Sequence, residues 1–287
     1  MRLETIITLA NSNVAGMFYA MEHSLRSMGC RLPLQVIPYD DQLFDLPDNA
    51  FWLEDDEVFC FLKEYNAHRM MRKYVCLMRQ NYCFVDTDVV FLKDPSEALL
   101  GHDGFVANCT HWNNPNHTLT RESEVYFRSK STTYPKFLFN AGQFACDRPI
   151  YHDFNEFKAS CLSLPDTTLS FPFHDQPGLN YLVSRSEVPF TNLTLPPHNI
   201  ESSWAGDYIE LGVPPSIGSA NAPYLLHWAG LDIDGRKPID QLFLQHMPEI
   251  QRRAFLESQT SAPTSFVRRL KNFSNAVIAD FKSNFWS

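Results

Sequence analysis

Apolar and polar positions change period along the chain, and each period predicts an element. Residues 3–10 read as a first strand that ends on Asn11-Ser12-Asn13, a helix-capping cluster. From about 14 to 28, Met17, Met21, Leu25 and Met28 recur on one helical face, and Gly29 stops the helix. Residues 33–39 read as a second strand whose Pro38 places its end near a sheet edge. Strand, helix, strand in this order predicts the start of a parallel α/β sheet.

Residues 51–64 mix acidic and aromatic positions, and 65–79, basic and Met-rich, predict a helix. The run Asn81–Leu92 is so rich in Val and Phe that it reads as a nearly continuous buried strand. Asp94-Pro95 turns the chain into a short helix through Leu99, and Phe105–Cys109 reads as the next strand. The stretch 110–135 has no period and reads as irregular loop. Residues 137–146 read as a strand, 151–162 and 175–184 as helices, 187–223 as Pro- and Gly-rich loop, and 224–228 as a short strand. Two helices, 239–257 and 264–285, close the chain.

Two acids interrupt the strand at 81–92. A buried carboxylate is costly unless compensated. Asp86 and Asp88 lie two apart, on one side of a strand, so a strand end facing a divalent cation would resolve the cost. The other reading is a capped or solvent-facing turn. With oxygen ligands the ion is Mn²⁺ or Mg²⁺, held directly by Asp88, while Asp86 sits closer to a ribose or reaches the ion through water.

Three further groups carry candidate chemistry. His227 ends a short apolar strand, where it would complete the ion's ligands; Gly230 permits close approach of a phosphate, and Lys237 would supply a point charge. A core histidine and a surface lysine are the plainer reading. Asn140, Gly142 and Gln143 sit in a Phe-rich segment, and their polar groups need partners such as sugar hydroxyls. Asp175 and Gln176 stand at a helix start, where the acid either caps the helix or works on a sugar.

Composition narrows the classes. A net charge of −9 argues against a nucleic-acid surface. Seven cysteines without a Cys-x-x-Cys pair read as reduced thiols filling a core, and residues 1–10 do not read as a secretory signal, so a cytoplasmic setting is expected. The basic and aromatic 264–285 helix either packs on the body or makes a peripheral membrane contact.

Taken in order, these four groups resemble the nucleotide-diphospho-sugar glycosyltransferases of the GT-A fold. They are most similar to the retaining glycogenin-like and galactosyltransferase-like families. The resemblance spans about residues 3–240. It implies an α/β fold with a mostly parallel central sheet flanked by helices, as a catalytic domain at 1–240 and a helical extension at 241–287. It makes Asp86-Thr87-Asp88 the metal and donor segment, and Asn140 with Gly142 a donor-sugar contact. Asp175, Gln176 and Asn180 fall at the reacting centre, and His227, Gly230 and Lys237 form the late metal and phosphate segment. The spacer Leu231–Arg236 before Lys237 departs from the family pattern, and 110–135 matches no part of it.

Ligands of such sheets lie at the carboxyl ends of parallel strands. That logic puts Leu9, Ala10 and Asn11 near a nucleotide base, with Asp40 at the end of the second strand. Tyr19 either stacks on the base or packs in the core. Of Arg69, Arg72 and Lys73, Arg72 is the choice for the diphosphate. The expected activity is metal-dependent transfer of a sugar, by default from UDP, to a hydroxyl acceptor, by default a glycan, with retention. His117, Trp112, Trp204 and Asp207 are the acceptor-side candidates. One rival is a metal-dependent nucleotidyltransferase, although Asn11–Gly16 is a poor triphosphate loop. The other is a noncatalytic carbohydrate-binding protein.

Overall fold

The computed structural model describes residues 1–54, 56–65, 68–130, 138–170 and 173–261. Its strands are β1 (Thr5–Ala10), β2 (Leu34–Pro38), β3 (Ala50–Trp52), β4 (Tyr82–Val85), β5 (Val89–Phe91), β6 (Phe105–Ala107), β7 (Gln143–Cys146), β8 (Phe190–Asn192) and β9 (Leu225–His227). Its helices are α1 (Ala15–Ser27), α2 (Glu57–Tyr65), α3 (Pro95–Ala98), α4 (Arg121–Lys130), α5 (Phe154–Leu162), α6 (Gln176–Ser184), α7 (Pro238–Leu244) and α8 (Glu249–Ser261). Met1–Pro248 forms one compact unit; α8 opens a second.

Seven strands make one sheet in the order β3-β2-β1-β4-β7-β6-β8. Among them only β7 runs against the rest, antiparallel to both β4 and β6. Period-two alternation gives the sheet two apolar faces. Ile7, Phe84, Phe105 and Phe144 pack into one cluster with residues of α2, α5 and α6. Ile6, Cys83, Val85, Val106 and Ala145 pack into the other with Phe18, Met21 and Leu25 of α1. All seven cysteines are free thiols, six of them buried. No described helix is long and apolar enough to cross a membrane.

Several expectations are corrected. The run 81–92 is not one strand: β4 ends at Val85, and β5 leaves the main sheet to pair with β9. The break falls at the half-buried Asp86 and Asp88, whose carboxylates turn to Lys73 and His227. β2 is not at the edge, because β3, drawn from the acidic and aromatic patch, covers it. Residues Arg69–Met78 wind as a 3-10 segment rather than an α-helix, and Met71–Leu77 are all buried, Arg72 and Lys73 included. Inside 110–135 lies α4, whose exposed charges hid its two buried positions, Ser123 and Phe127. Asn140 and Gly142 precede β7 rather than belonging to it. The Pro-rich 187–223 stretch contributes β8, and 239–257 divides into α7 and α8. The helix expected at 264–285 lies outside the described residues.

Asn180, buried on α6, ties that helix to the segment before β7. Its Oδ1 accepts from the Phe139 N–H at 3.0 Å, and its Nδ2 donates to the Phe139 and Gln176 carbonyls at 2.8 and 3.0 Å. Substitution Asn180→Ala would strand both halves of the Phe139 peptide in the core. We expect a loss of about 2–3 kcal/mol in urea unfolding, the cost of buried groups left unpaired.

Candidate active site

Asp86, Asp88 and His227 converge where β4, β5 and β9 meet. One ligand atom from each lies within 4.8 Å of the others. The backbone fixes all three. The Asp86 N–H donates to the Gly142 carbonyl at 2.8 Å, extending the β4–β7 ladder by one residue. Val89 pairs with His227, and the Trp228 N–H donates to the Asp88 carbonyl at 2.9 Å. His227 Nε2 stands 3.1 Å from Asp88 Oδ1. Burial alone would lower the His227 pKa, but Asp88 outweighs it and the net direction is up. Burial pushes Asp88 the other way, and His227 brings it down.

Gly142 makes this convergence sterically possible. A Cβ built there would lie 2.1 Å from His227 Cε1 and 2.7 Å from Asp86 Oδ2. Two carboxylates and an imidazole in one such cradle are a suitable donor set for Mn²⁺, and for Mg²⁺ on its oxygen side.

Lys73, passed over in the sequence in favour of Arg72, sits behind Asp86. Its side chain is 1% exposed. Its ammonium donates to Asp86 Oδ1 at 3.0 Å and to the Ala141 carbonyl at 3.3 Å, and forms an ion pair with Asp175 Oδ2 at 3.3 Å. The Phe84 ring lies 4.9 Å from it. Burial would depress this ammonium; Asp175 and then Asp86 outweigh burial and hold it well above the ordinary lysine range. Burial pushes the Asp175 carboxyl up to about 6, against the pull of Lys73. Asp175 makes no side-chain cap on α6. Its backbone carbonyl accepts from Tyr74 Oη at 2.6 Å, which joins the 3-10 segment to the helix start.

The remaining candidates divide by surroundings. Leu9, Ala10, Asn11 and Thr87 line a cavity of about 410 Å³ together with Asp86 and Asp88. Asp40 stands beside it, accepting from Asn11 Nδ2 at 2.9 Å and pairing with Arg69 at 3.1 Å. Asn140, Gln143, Gly230 and His227 line a second cavity of about 340 Å³, which also receives His117 and Trp204. Asn140 Oδ1 accepts from the Gly142 N–H at 2.8 Å. The Gln176 amide is occupied by backbone: Oε1 accepts from Ala141 N–H at 2.9 Å, and Nε2 donates to Thr118 O at 3.2 Å. Arg72 donates to the Pro38 carbonyl at 2.7 Å and lies over the Phe59 ring, lining neither cavity. Lys237 pairs with Asp240 at 2.9 Å and with Asp234 at 3.4 Å. Tyr19 is in an aromatic cluster with Phe18 and Phe44 and donates to the Asp45 carbonyl. Trp228 is fully buried and donates Nε1–H to Asp240 at 3.1 Å, as packing requires.

The architecture is that of the GT-A glycosyltransferases. Among solved structures, the chain is similar to galactosyltransferase LgtC in complex with donor and acceptor sugar analogs, with a TM-score of 0.57 at 14% identity over 86% of this chain and 99% of that one. An active-site mutant of LgtC gives a TM-score of 0.57 at 15% identity, with 86% of this chain and 99% of that one covered. The bifunctional glycosyltransferase WbbM gives 0.56 at 14% identity; 88% of this chain aligns with 52% of that one. No protein-family model matches the sequence, and no curated protein matches it.

Two outcomes follow. Gly142→Ala should push His227 and Asp86 apart, because the new methyl occupies the space between them; the expected outcome is a loss of about 1–3 kcal/mol in urea unfolding and, if the cradle holds Mn²⁺, at least about tenfold weaker binding in calorimetry. Lys73→Met removes the counter-charge of Asp175. A carboxyl raised above its unfolded value stabilises below that value, and the contribution is lost as pH rises through the folded one. In the wild type that loss falls between about 4 and about 6. Without Lys73 the Asp175 window extends upward, so from pH 6 to pH 8 the variant's urea midpoint should fall more steeply than the wild type's, in which the raised His227 still loses its contribution.

Proposed function

We propose that the protein is a metal-dependent glycosyltransferase that moves a sugar from a nucleotide-diphosphate donor, by default a UDP-sugar, to a hydroxyl of a glycan with retention of configuration. The observation that carries this reading is the convergence of Asp86, Asp88 and His227 on the border between two cavities. Mn²⁺ or Mg²⁺ held there would act as a Lewis acid on the departing diphosphate.

The chain's own residues do the rest. The cavity at the end of β1, with Leu9, Ala10, Asn11 and Thr87, takes the nucleoside. Lys73 holds Asp86 in its orientation, and Asp175 holds Lys73. Gly142 lets Asp86 and His227 close on one point, and Asn140, which lines the second cavity, would meet a sugar hydroxyl there. As the bond from the anomeric carbon to the phosphate oxygen breaks, the acceptor hydroxyl attacks from the same face, and its proton passes to that phosphate oxygen. Asp175, buried and paired with Lys73, lines neither cavity; it would act on the developing positive sugar only at a distance, by fixing Lys73 and through it Asp86. The rival nucleotidyltransferase reading finds less support. The turn after β1, Ser12–Val14, is capped by the Asn11 side chain and carries no cation for a triphosphate.

Asp88→Ala should abolish Mn²⁺-dependent UDP binding in calorimetry, while thermal unfolding stays within a few degrees of wild type. Unchanged affinity would remove Asp88 from the ligand set. The anomeric proton of the product, read by NMR, tests retention: a configuration opposite to that of the donor sinks it. Pyrophosphate release in place of UDP would point to the nucleotidyltransferase.

A further inference from the structure

Two histidines far apart in sequence meet on the surface. His23 stands on the exposed side of α1, and His246, half-buried, follows the end of α7, 223 residues further on. Neither ring lines the two cavities around Asp86 and His227. Their Nδ1 atoms are 3.2 Å apart. The ring centroids are 5.4 Å apart and the ring planes differ by 54°, so the rings extend away from each other behind the two nitrogens.

Two ring nitrogens this close need something between them, because bare lone pairs repel. A proton is one answer, with one Nδ1–H donating to the other Nδ1. A divalent cation is the other. Two imidazole nitrogens bound to one tetrahedral Zn²⁺, each at roughly 2.0–2.1 Å, lie about 3.3 Å from each other. The spacing found is close to that, so small ring rotations are enough to admit an ion.

The surroundings suit a metal. Burial, and then His23, hold the His246 pKa below its ordinary value, which leaves the ring neutral at neutral pH, the form that ligates. Gln245 Nε2 lies 3.4 Å from His246 Nε2. A half-turn of that amide presents Oε1 instead, an acceptor for the Nε2–H that a metal-bound imidazole carries. Arg26, one turn along α1 from His23, is committed to Glu22 and to the Cys30 and Leu32 carbonyls. The exposed side of the pair lets water complete the coordination.

Two neutral nitrogens and water favour a borderline cation. Cu²⁺ would bind most tightly, Ni²⁺ and Zn²⁺ next, and Mn²⁺ and Mg²⁺ weakly. This preference differs from that of the carboxylate-rich Asp86–Asp88–His227 group. The ion would also join two elements. Helix α7 carries Asp240, which accepts from Trp228, and Phe243, whose ring meets Trp228 at 5.1 Å; Trp228 directly follows His227. A clip between α1 and α7 therefore braces the packing behind β9.

We infer that His23 and His246 form a two-imidazole surface site for Zn²⁺, Ni²⁺ or Cu²⁺ that ties α1 to the end of α7. The inference does not rest on the transferase reading above.

The test titrates Zn²⁺ into the full chain by calorimetry, in excess Mg²⁺. It compares wild type with His23→Gln, His246→Gln and Asp88→Ala. One Zn²⁺ should bind wild type and Asp88→Ala with the same affinity, and either histidine variant should weaken that event by at least about tenfold. The Cu²⁺ EPR spectrum of Asp88→Ala should show coupling to two imidazole nitrogens, and to one fewer when His23→Gln is added. His23 is exposed, so this arm stands even should His246→Gln not fold. Uptake lost in Asp88→Ala but kept in the histidine variants would assign the ion to the other cluster and overturn the inference. No uptake by wild type, equal uptake by all the variants, or an EPR spectrum that His23→Gln leaves unchanged would overturn it too, and would make the pair a plain N–H···N hydrogen bond.

Discussion

One buried ammonium organises the site. Lys73 has almost no exposure, and an isolated charge in that position would be expelled or neutralised. It remains because Asp86, Asp175 and the Ala141 carbonyl surround it. Three chain segments are thereby brought to one point: the end of β4, the start of α6 and the turn before β7. None of these could be moved without uncovering a charge. A pair of this kind adds little net stability against an apolar substitute, since desolvation consumes most of the attraction. What it does set is position. Asp86 is presented toward the cavities with one oxygen already committed, leaving the other free beside Asp88 and His227.

Position also depends on what is missing. The space that a Gly142 side chain would take is where His227 and Asp86 approach each other, so the smallest residue stands at the narrowest place. Tyr74 and Gly178 repeat the device one layer back. A Cβ at Gly178 would lie 2.4 Å from the Tyr74 hydroxyl, which bonds to the Asp175 carbonyl. The ammonium, the phenol and the two glycines form one packed unit that joins the 3-10 segment to α6.

How much of this could be read from the sequence differs residue by residue. Strand β1 and helix α1 were legible because each ends at a clear stop; β4 was legible as an apolar run, but its end at Val85 was not. The Asp86–Asp88 pair and His227 were legible because polar residues ending apolar strands need a reason. Lys73 was not. It sits in a run from Met71 to Leu77 in which every residue is buried, so periodicity marks no inward face and a lysine there looks like part of a solvated helix. Arg72, buried in the same run, is equally unmarked by any period. Helix α4 was hidden by its charges, and the meeting of His23 with His246 by the 223 positions between them. The Gln176 amide shows the converse. Its place beside Asp175 is readable, yet its hydrogen bonds to Ala141 and Thr118 depend on a turn and a loop that no spacing rule connects.

Charge is concentrated where the two cavities meet, and this bears on how ligands bind together. Three carboxylates, Asp86, Asp88 and Asp175, stand around one permanent cation, Lys73, so the cluster is net negative when His227 is neutral. Asp175 is itself more than half ionised at neutral pH, since its pKa lies near 6. An anion approaching the cavity at the end of β1 would meet that negative field in a partly desolvated place, where like charges repel far more strongly than in water. The cavity beyond His227 is lined by amide, hydroxyl and aromatic groups, and His227 links it to the carboxylates. A divalent ion held by Asp86, Asp88 and His227 would reverse the sign of the field and would act on both cavities. An ion and an anionic ligand bound there would therefore be linked, each raising the affinity for the other, as reciprocal coupling requires.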